Sequence, residues 1–156
     1  LEIQTKFFGK IDIKEEDIIA FPKGLLGFED KTKYVIINAA EEEIPFQYLQ
    51  SVEDANLSFT IMNPFIFKKD YEFDIPKAVQ ELLQIKRVND VVIYSIIVVP
   101  KDVNKMTANL AAPVIINTMT KLAKQMIIES SDYPVKFSIL KALKEQNRGQ
   151  NNADIV

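Results

Sequence analysis

Short apolar segments recur along the chain about every ten residues, and most of them alternate with period two rather than 3.6. In IDIKE, Ile11 and Ile13 alternate with Asp12 and Lys14, as on a strand with one face buried. Tyr34 to Asn38 (YVIIN), Asn56 to Met62 (NLSFTIM) and Val91 to Val99 (VVIYSIIVV) follow. The last is apolar on both faces, so a central strand covered on each side is expected. Thr107 to Asn117 (TANLAAPVIIN) and Leu122 to Ile128 (LAKQMII), parted by the polar turn 118–121, read as a hairpin. Pro113 has no N–H for a ladder, so the first arm should lie at an edge or be broken by a bulge near that residue. The fold class is therefore mainly β: a small antiparallel barrel-like or sandwich fold.

One segment changes period. DIPKAVQELLQI places Ile75, Ala78, Val79, Leu82 and Leu83 on one face, with Lys77, Gln80, Glu81 and Gln84 opposite. This predicts an amphipathic helix over about 74–86, capped by Asp74 and with Pro76 in its first turn, that covers an open end or face of the sheet. After Tyr133 and Pro134, KFSILKALKEQ can form a second, short helix, and the remainder is too polar to pack. Residues 1–140 read as one domain and 141–156 as a polar, partly disordered extension.

The stretch FPKGLLGFED, Phe21 to Asp30, combines turn formers with apolar residues. Gly24 and Gly27 accept positive φ and Pro22 fixes its own, so a connection between strands is expected. A solvated turn does not call for Leu25, Leu26 and Phe28 at its tip. Phe21 ends the run DIIAF and should be core, whereas Leu25 or Phe28 should be partly exposed and meet a partner.

Composition narrows the chemistry. The 156 residues are 47% hydrophobic and 26% charged, the balance of a folded domain. With no cysteine and no histidine, thiolate nucleophiles, disulfides, zinc–cysteine sites and imidazole acid–base chemistry are closed. No catalytic residue, metal or other cofactor is expected. Carboxylates remain, in Glu15-Glu16-Asp17, Glu41-Glu42-Glu43 and the alternating Asp70, Glu72 and Asp74. Runs of this kind are ordinarily solvated, a glycosidase needs two carboxyls held across a cleft, and the third set lacks the glycine of a Ca²⁺ loop. The net charge of −3 and the separated basic pairs disfavour a nucleic-acid partner. The alternative kept open is a single-stranded RNA-binding barrel using Phe65, Phe67, Lys68, Lys69 and Tyr71. Neither a membrane span nor a signal-like N-terminus is present, so the expected location is cytoplasmic.

Taken in order, FPKGLLGFED, PFQYLQSVEDANLSFTIMNP, NPFIFKKDYEFDIP, MTANLAAPVIIN, LAKQMII and SDYPVK resemble the FliW family of flagellar assembly factors over about Ile3 to Lys136. Tyr48 stands where that family commonly has tryptophan, Asn63 where it has aspartate, and Ala123 where it has glycine. The resemblance implies a small β-barrel-like regulator without catalysis. Its implied partners are a dimer of the translational repressor CsrA, kept from flagellin mRNA, and flagellin itself, with exchange between them reporting the flagellin pool. On this reading the candidate partner-binding residues are Leu25, Phe28, Glu29, Gln50, Asn109 and Asn117. The two asparagines would serve an edge that captures a partner's backbone, unless they only satisfy turns within the domain.

Overall fold

The computed structural model describes residues 1–38, 45–130 and 132–154, with 148–154 described as backbone only. A hairpin of β1 (Glu2–Gln4) and β2 (Lys10–Asp12) stands apart from the main sheet. That sheet comprises β3 (Ile19–Ala20), β4 (Lys33–Asn38), β5 (Gln47–Ser51), β6 (Ser58–Met62), β7 (Val91–Val98), β8 (Thr107–Ala108), β9 (Val114–Asn117), β10 (Leu122–Gln125) and β11 (Phe137–Ser138). From β7 the hydrogen-bonded order runs β6, β5, β4, β3, β10 and β9, and β9 returns to β7. The sheet therefore closes as a seven-stranded barrel, which decides between the two architectures the periodicity left open. Among the described residues all pairings but one are antiparallel, and the exception is β3 with β10.

Alternation fills the barrel. Tyr34 and Ile36 of β4, Leu49 of β5, Phe59 and Ile61 of β6, Val92, Tyr94 and Ile96 of β7, and Val114 and Ile116 of β9 form one interior cluster with Phe21 and Leu25. The odd-numbered face of β7 meets other partners outside the barrel, with Ile93 and Ile97 entering a second cluster and Val91 and Ile93 a third. The doubly apolar strand is thus covered on both sides, although Val98 and Val99 at its end are exposed.

The expected hairpin holds only in its second half. Val114–Asn117 pairs with Leu122–Gln125, whereas Thr107–Ala108 pairs with β7 and β11. Both halves of the first arm run along β7, with Ala108 opposite Ile97 and Val114 opposite Tyr94. Residues 109–113 consequently bulge opposite Ser95 and Ile96 alone, and Pro113 sits in that bulge. An edge is the part of the expectation that fails, because β9 is paired on both sides and helps to close the barrel.

The amphipathic helix is α1 (Lys77–Leu82), shorter than 74–86. It starts after Pro76, which takes the N-cap place without a side-chain hydrogen bond, so Asp74 is not its cap. It stops in a Schellman arrangement: the N–H of Ile85 donates to the carbonyl of Gln80, that of Gln84 to Glu81, and Gln84 adopts φ 55°. Val79 and Leu83 pack on Ile115 and Met126, so α1 covers the outside of the barrel wall rather than an open end. The second helix, α2 (Ile139–Asp154), continues through residues expected to be a polar extension. Its first turns anchor it, with Ile139 buried and Leu140, Ala142 and Leu143 packed on the second cluster.

Candidate protein-interaction site

The FPKGLLGFED loop is a built structure. Phe21 is fully buried and meets Tyr34 edge-on at 5.2 Å, and Leu25 is 1% exposed. Gly24 has φ +66°, and a Cβ there would lie 2.5 Å from Cα of Glu29, so close backbone approach as well as conformation requires glycine. The N–H of Phe28 donates to the carbonyl of Leu25, that of Gly27 to the Glu29 carboxylate at 3.1 Å, and that of Leu26 to Oε1 of Gln125 at 3.0 Å. Two apolar residues stay outside: Leu26 and Phe28, the latter 39% exposed. The expected division of labour thus falls on Phe28, while Leu25 belongs to the core and presents no surface.

Phe28 meets Phe59, on the interior side of the wall, at 5.3 Å. A separate open groove of about 830 Å³ on the outer side is lined by Phe46, Tyr48, Val98 and Val99. Over this groove hang Phe7 and Phe8, from the tip of the β1–β2 hairpin, with their rings 5.5 and 5.3 Å from that of Tyr48. A turn centred on Thr5 shapes this tip: its hydroxyl donates to Gly9 and accepts from the N–H of Phe8. The whole hairpin is tied to the barrel through the N–H of Lys6, which donates to Oε1 of Gln50 at 3.1 Å. Lys6 is the charged residue lining this groove, and the buried Oγ of Ser58 beside it has no hydrogen-bond partner. Exposed rings and valines gathered around one groove are the usual composition of a protein-contact surface.

Sequence reasoning missed this groove, and its signal was there in doubled apolar pairs. In both Phe7-Phe8 and Val98-Val99 each of the two adjacent apolar side chains is exposed and lines the groove. Of the named candidates, Phe28 and Glu29 are exposed, whereas Gln50 is 1% exposed and acts as a pin. The Gln50 amide donates to the carbonyls of Ser51, Asp54, Ala55 and Leu57, at 3.0 to 3.3 Å.

The two asparagines organise turns. Oδ1 of Asn109 accepts from the N–H groups of Ala111 and Ala112, shaping the bulge. Asn117 is buried, accepts from Met119 and Thr120, and donates to the carbonyls of Leu83 and Gln84. No open strand edge accompanies either one. Because the cap at Asn109 uses only an acceptor, Asn109→Asp is expected to leave thermal unfolding nearly unchanged, while Asn109→Ala lowers stability by about 1 kcal/mol. Equal losses from both changes, measured by calorimetry, would show that the amide nitrogen also matters.

The positions that depart from the family pattern are accommodated. Asn63 accepts from the N–H of Phe65 and caps a short turn. Ala123 lies on β10 inside the barrel and is not among the residues with positive φ. The RNA-platform alternative fares worse, because Phe67 and Tyr71 are buried and Lys68 pairs with Asp70 at 2.8 Å. That hydrogen bond from Lys68 holds the Asp70 carboxyl below its ordinary range, the wrong direction for a general acid. Burial, with the carboxylates of Glu53, Asp30 and Asp54 nearby, pushes the Tyr34 hydroxyl up to about 12, so it stays neutral within the barrel. Among the described residues no three acidic side chains gather as metal ligands, and no helix is long and apolar enough to cross a membrane. Glu41, Glu42 and Glu43 lie outside the described residues.

The comparisons with known proteins agree with one another. The family model described as FliW protein matches residues 2–139. The chain is similar to the flagellar assembly factor FliW of Alkaliphilus metalliredigens (strain QYMF), with 46% identity over 96% of this chain and 92% of the relative. It is similar also to that of Bacillus subtilis (strain 168), with 42% identity over 88% of this chain and 95% of the relative. A crystal structure of the flagellar assembly factor FliW superposes with a TM-score of 0.83 at 37% identity, covering 89% of this chain and 96% of that one.

Proposed function

The chain belongs to the FliW family of flagellar assembly factors, and from that premise we propose that it acts by binding rather than catalysis, antagonising CsrA and exchanging it for flagellin. The observation that carries the reading is the exposed aromatic groove under Phe7, Phe8 and Tyr48. A switch that exchanges protein partners needs an accessible apolar surface on a rigid support, and this groove lies on the wall of a closed barrel. The absence of histidine and cysteine fits such a role, because partner exchange requires no nucleophile. The mild acidity fits it too, since an acidic protein docked on a basic RNA-binding regulator attracts that regulator and repels phosphate near its RNA site. The expected place of work is the cytoplasm, where both partners are made.

Competition with purified components tests the reading. CsrA and flagellin from the source bacterium should each form a complex with the chain on gel filtration, and flagellin should displace CsrA. Released CsrA should then bind a labelled flagellin mRNA leader again. Simultaneous binding of both partners without displacement would defeat the exchange mechanism. Salt-dependent binding of the chain itself to single-stranded RNA would favour the nucleic-acid alternative.

Phe28 should contribute strongly to one of these complexes. Phe28→Ala is expected to weaken binding tenfold or more while costing only about 1 kcal/mol of stability, as the side chain is partly exposed and chiefly loses its contact with Phe59. Titration calorimetry and thermal unfolding on the same variant separate the two effects. If affinity is unchanged, the loop is a turn and nothing more.

A further inference from the structure

We propose that a second surface, around the segment Tyr71 to Pro76, docks a cationic amphipathic segment of a protein partner. Two hollows, of about 500 and 570 Å³, share Glu72, Phe73 and Asp74 as their common wall. The first has an apolar floor that includes Phe65, Ile75, Ile85 and Val91, and the second includes Met126, Ile127 and Ile128. Ile127 is 63% exposed, although it lies between residues that pack inward. The charged lining residues are all acidic, although exposed Lys77, Lys86 and Arg87 adjoin lining residues in the sequence, Arg87 being paired with Asp90. Glu72, Asp74, Glu129 and Asp132 line the hollows, and neither has a basic lining residue. Among the described residues none of these four carboxylates takes part in an ion pair, whereas Glu2, Asp12, Glu16, Asp30, Asp70 and Asp90 do.

An apolar trough edged by unpaired carboxylates is complementary to a segment that places leucine-like side chains on one face and lysine or arginine beside them. The aromatic groove is different: among the described residues its lining includes Lys6 and no carboxylate. The two surfaces meet opposite ends of β7, since Val91 and Ile93 line the first hollow and Ile96 to Val99 the aromatic groove. On this proposal one molecule carries two apolar surfaces with different charged linings, a basis for telling two partners apart. This inference rests on the protein-binding reading above, but its test uses neither proposed partner.

The probe is a fourteen-residue helical peptide of leucine and lysine, with leucine at helical i, i+3, i+4 and i+7 spacing, alongside its glutamate counterpart. The full chain is titrated with each, and amide chemical shifts locate the site. The lysine peptide should bind and shift the amides of 72–76 and 126–130, with affinity falling as salt rises. The triple variant Glu72→Gln, Asp74→Asn, Glu129→Gln should weaken it about tenfold. A control with the same change in net charge, Glu15→Gln, Glu16→Gln, Asp17→Asn, should leave it within twofold, and Ile127→Ser should weaken it with the melting temperature unchanged. Equal losses in the two triple variants, equal binding of the glutamate peptide, shifts confined to the aromatic groove, or no binding at all would each overturn the proposal. So would shifts at 126–130 on concentrating the chain alone, which would identify the occupant as a second copy.

Discussion

Replacing Phe21 with alanine is expected to remove about 3 to 5 kcal/mol of stability, a large part of what a domain of this size possesses. The ring is fully buried at the end of β3, meets Tyr34 edge-on, and shares the barrel interior with Leu25, Leu49 and Ile61. Leu49 and Ile61 are held by strand pairing on both sides, which limits their collapse into the vacated space, so a cavity term adds to the lost transfer term. Denaturant unfolding should show a lower midpoint with an unchanged slope. A loss below about 1 kcal/mol would mean that the barrel repacks freely around position 21.

Aspartate at position 117 is expected to be nearly as damaging, at about 3 to 5 kcal/mol, although it differs from asparagine by one group. Both halves of the amide are used. Its oxygen accepts from Met119 and Thr120, while its nitrogen donates to Leu83 at 2.9 Å and Gln84 at 3.1 Å. Those two carbonyls belong to the end of α1, so this side chain fastens the helix to the β9–β10 turn. A buried carboxylate would point negative charge at two carbonyl oxygens, which lose their donor. Protonating it restores one donor, so the stability gap to the parent should narrow on acidification. The sign follows from burial, which raises the folded-state pKa of the introduced acid: the penalty is present above that value and fades below its unfolded one. A gap that stays constant with pH would assign the loss to packing instead.

Much of this architecture was legible because period-two alternation records which side chains face the barrel interior. Tyr34, Ile36, Val92, Tyr94 and Ile96 all sit where alternation places them. Closure was not legible. It depends on β9 meeting β7 along 91–94 while β8 meets the same edge at 97–98, and no local pattern announces that two halves of TANLAAPVIIN share one neighbour. The asparagines were ambiguous for a related reason: amides in an apolar stretch read as edge contacts or as caps, and only long-range partners such as Leu83 and Gln84 show that Asn117 caps. Helix α1 fell short of its pattern because periodicity sees side chains, whereas the ends were set by the backbone at Pro76 and the left-handed Gln84. At the candidate surface, the exposure of Phe28 was legible from its oddness in a turn. The aromatic groove was not, since Phe7, Tyr48 and Val98 come from three separate parts of the sequence.

The single parallel pairing in the barrel gives it a designated place to open. Strand β3 has only two residues, and its register with β10 consists of Ala20 opposite Leu122. Around it the junction has the Ala20 N–H on the carbonyl of Lys121 and the Leu26 N–H on Gln125. By contrast, β4 meets β5 over five residue pairs. In hydrogen–deuterium exchange this junction is expected to be the barrel's fastest seam, with Ala20 and Leu26 labelled well before Ile36 or Leu49. Since the Leu26 bond crosses the same seam, opening there should loosen one tether of the loop that carries Phe28.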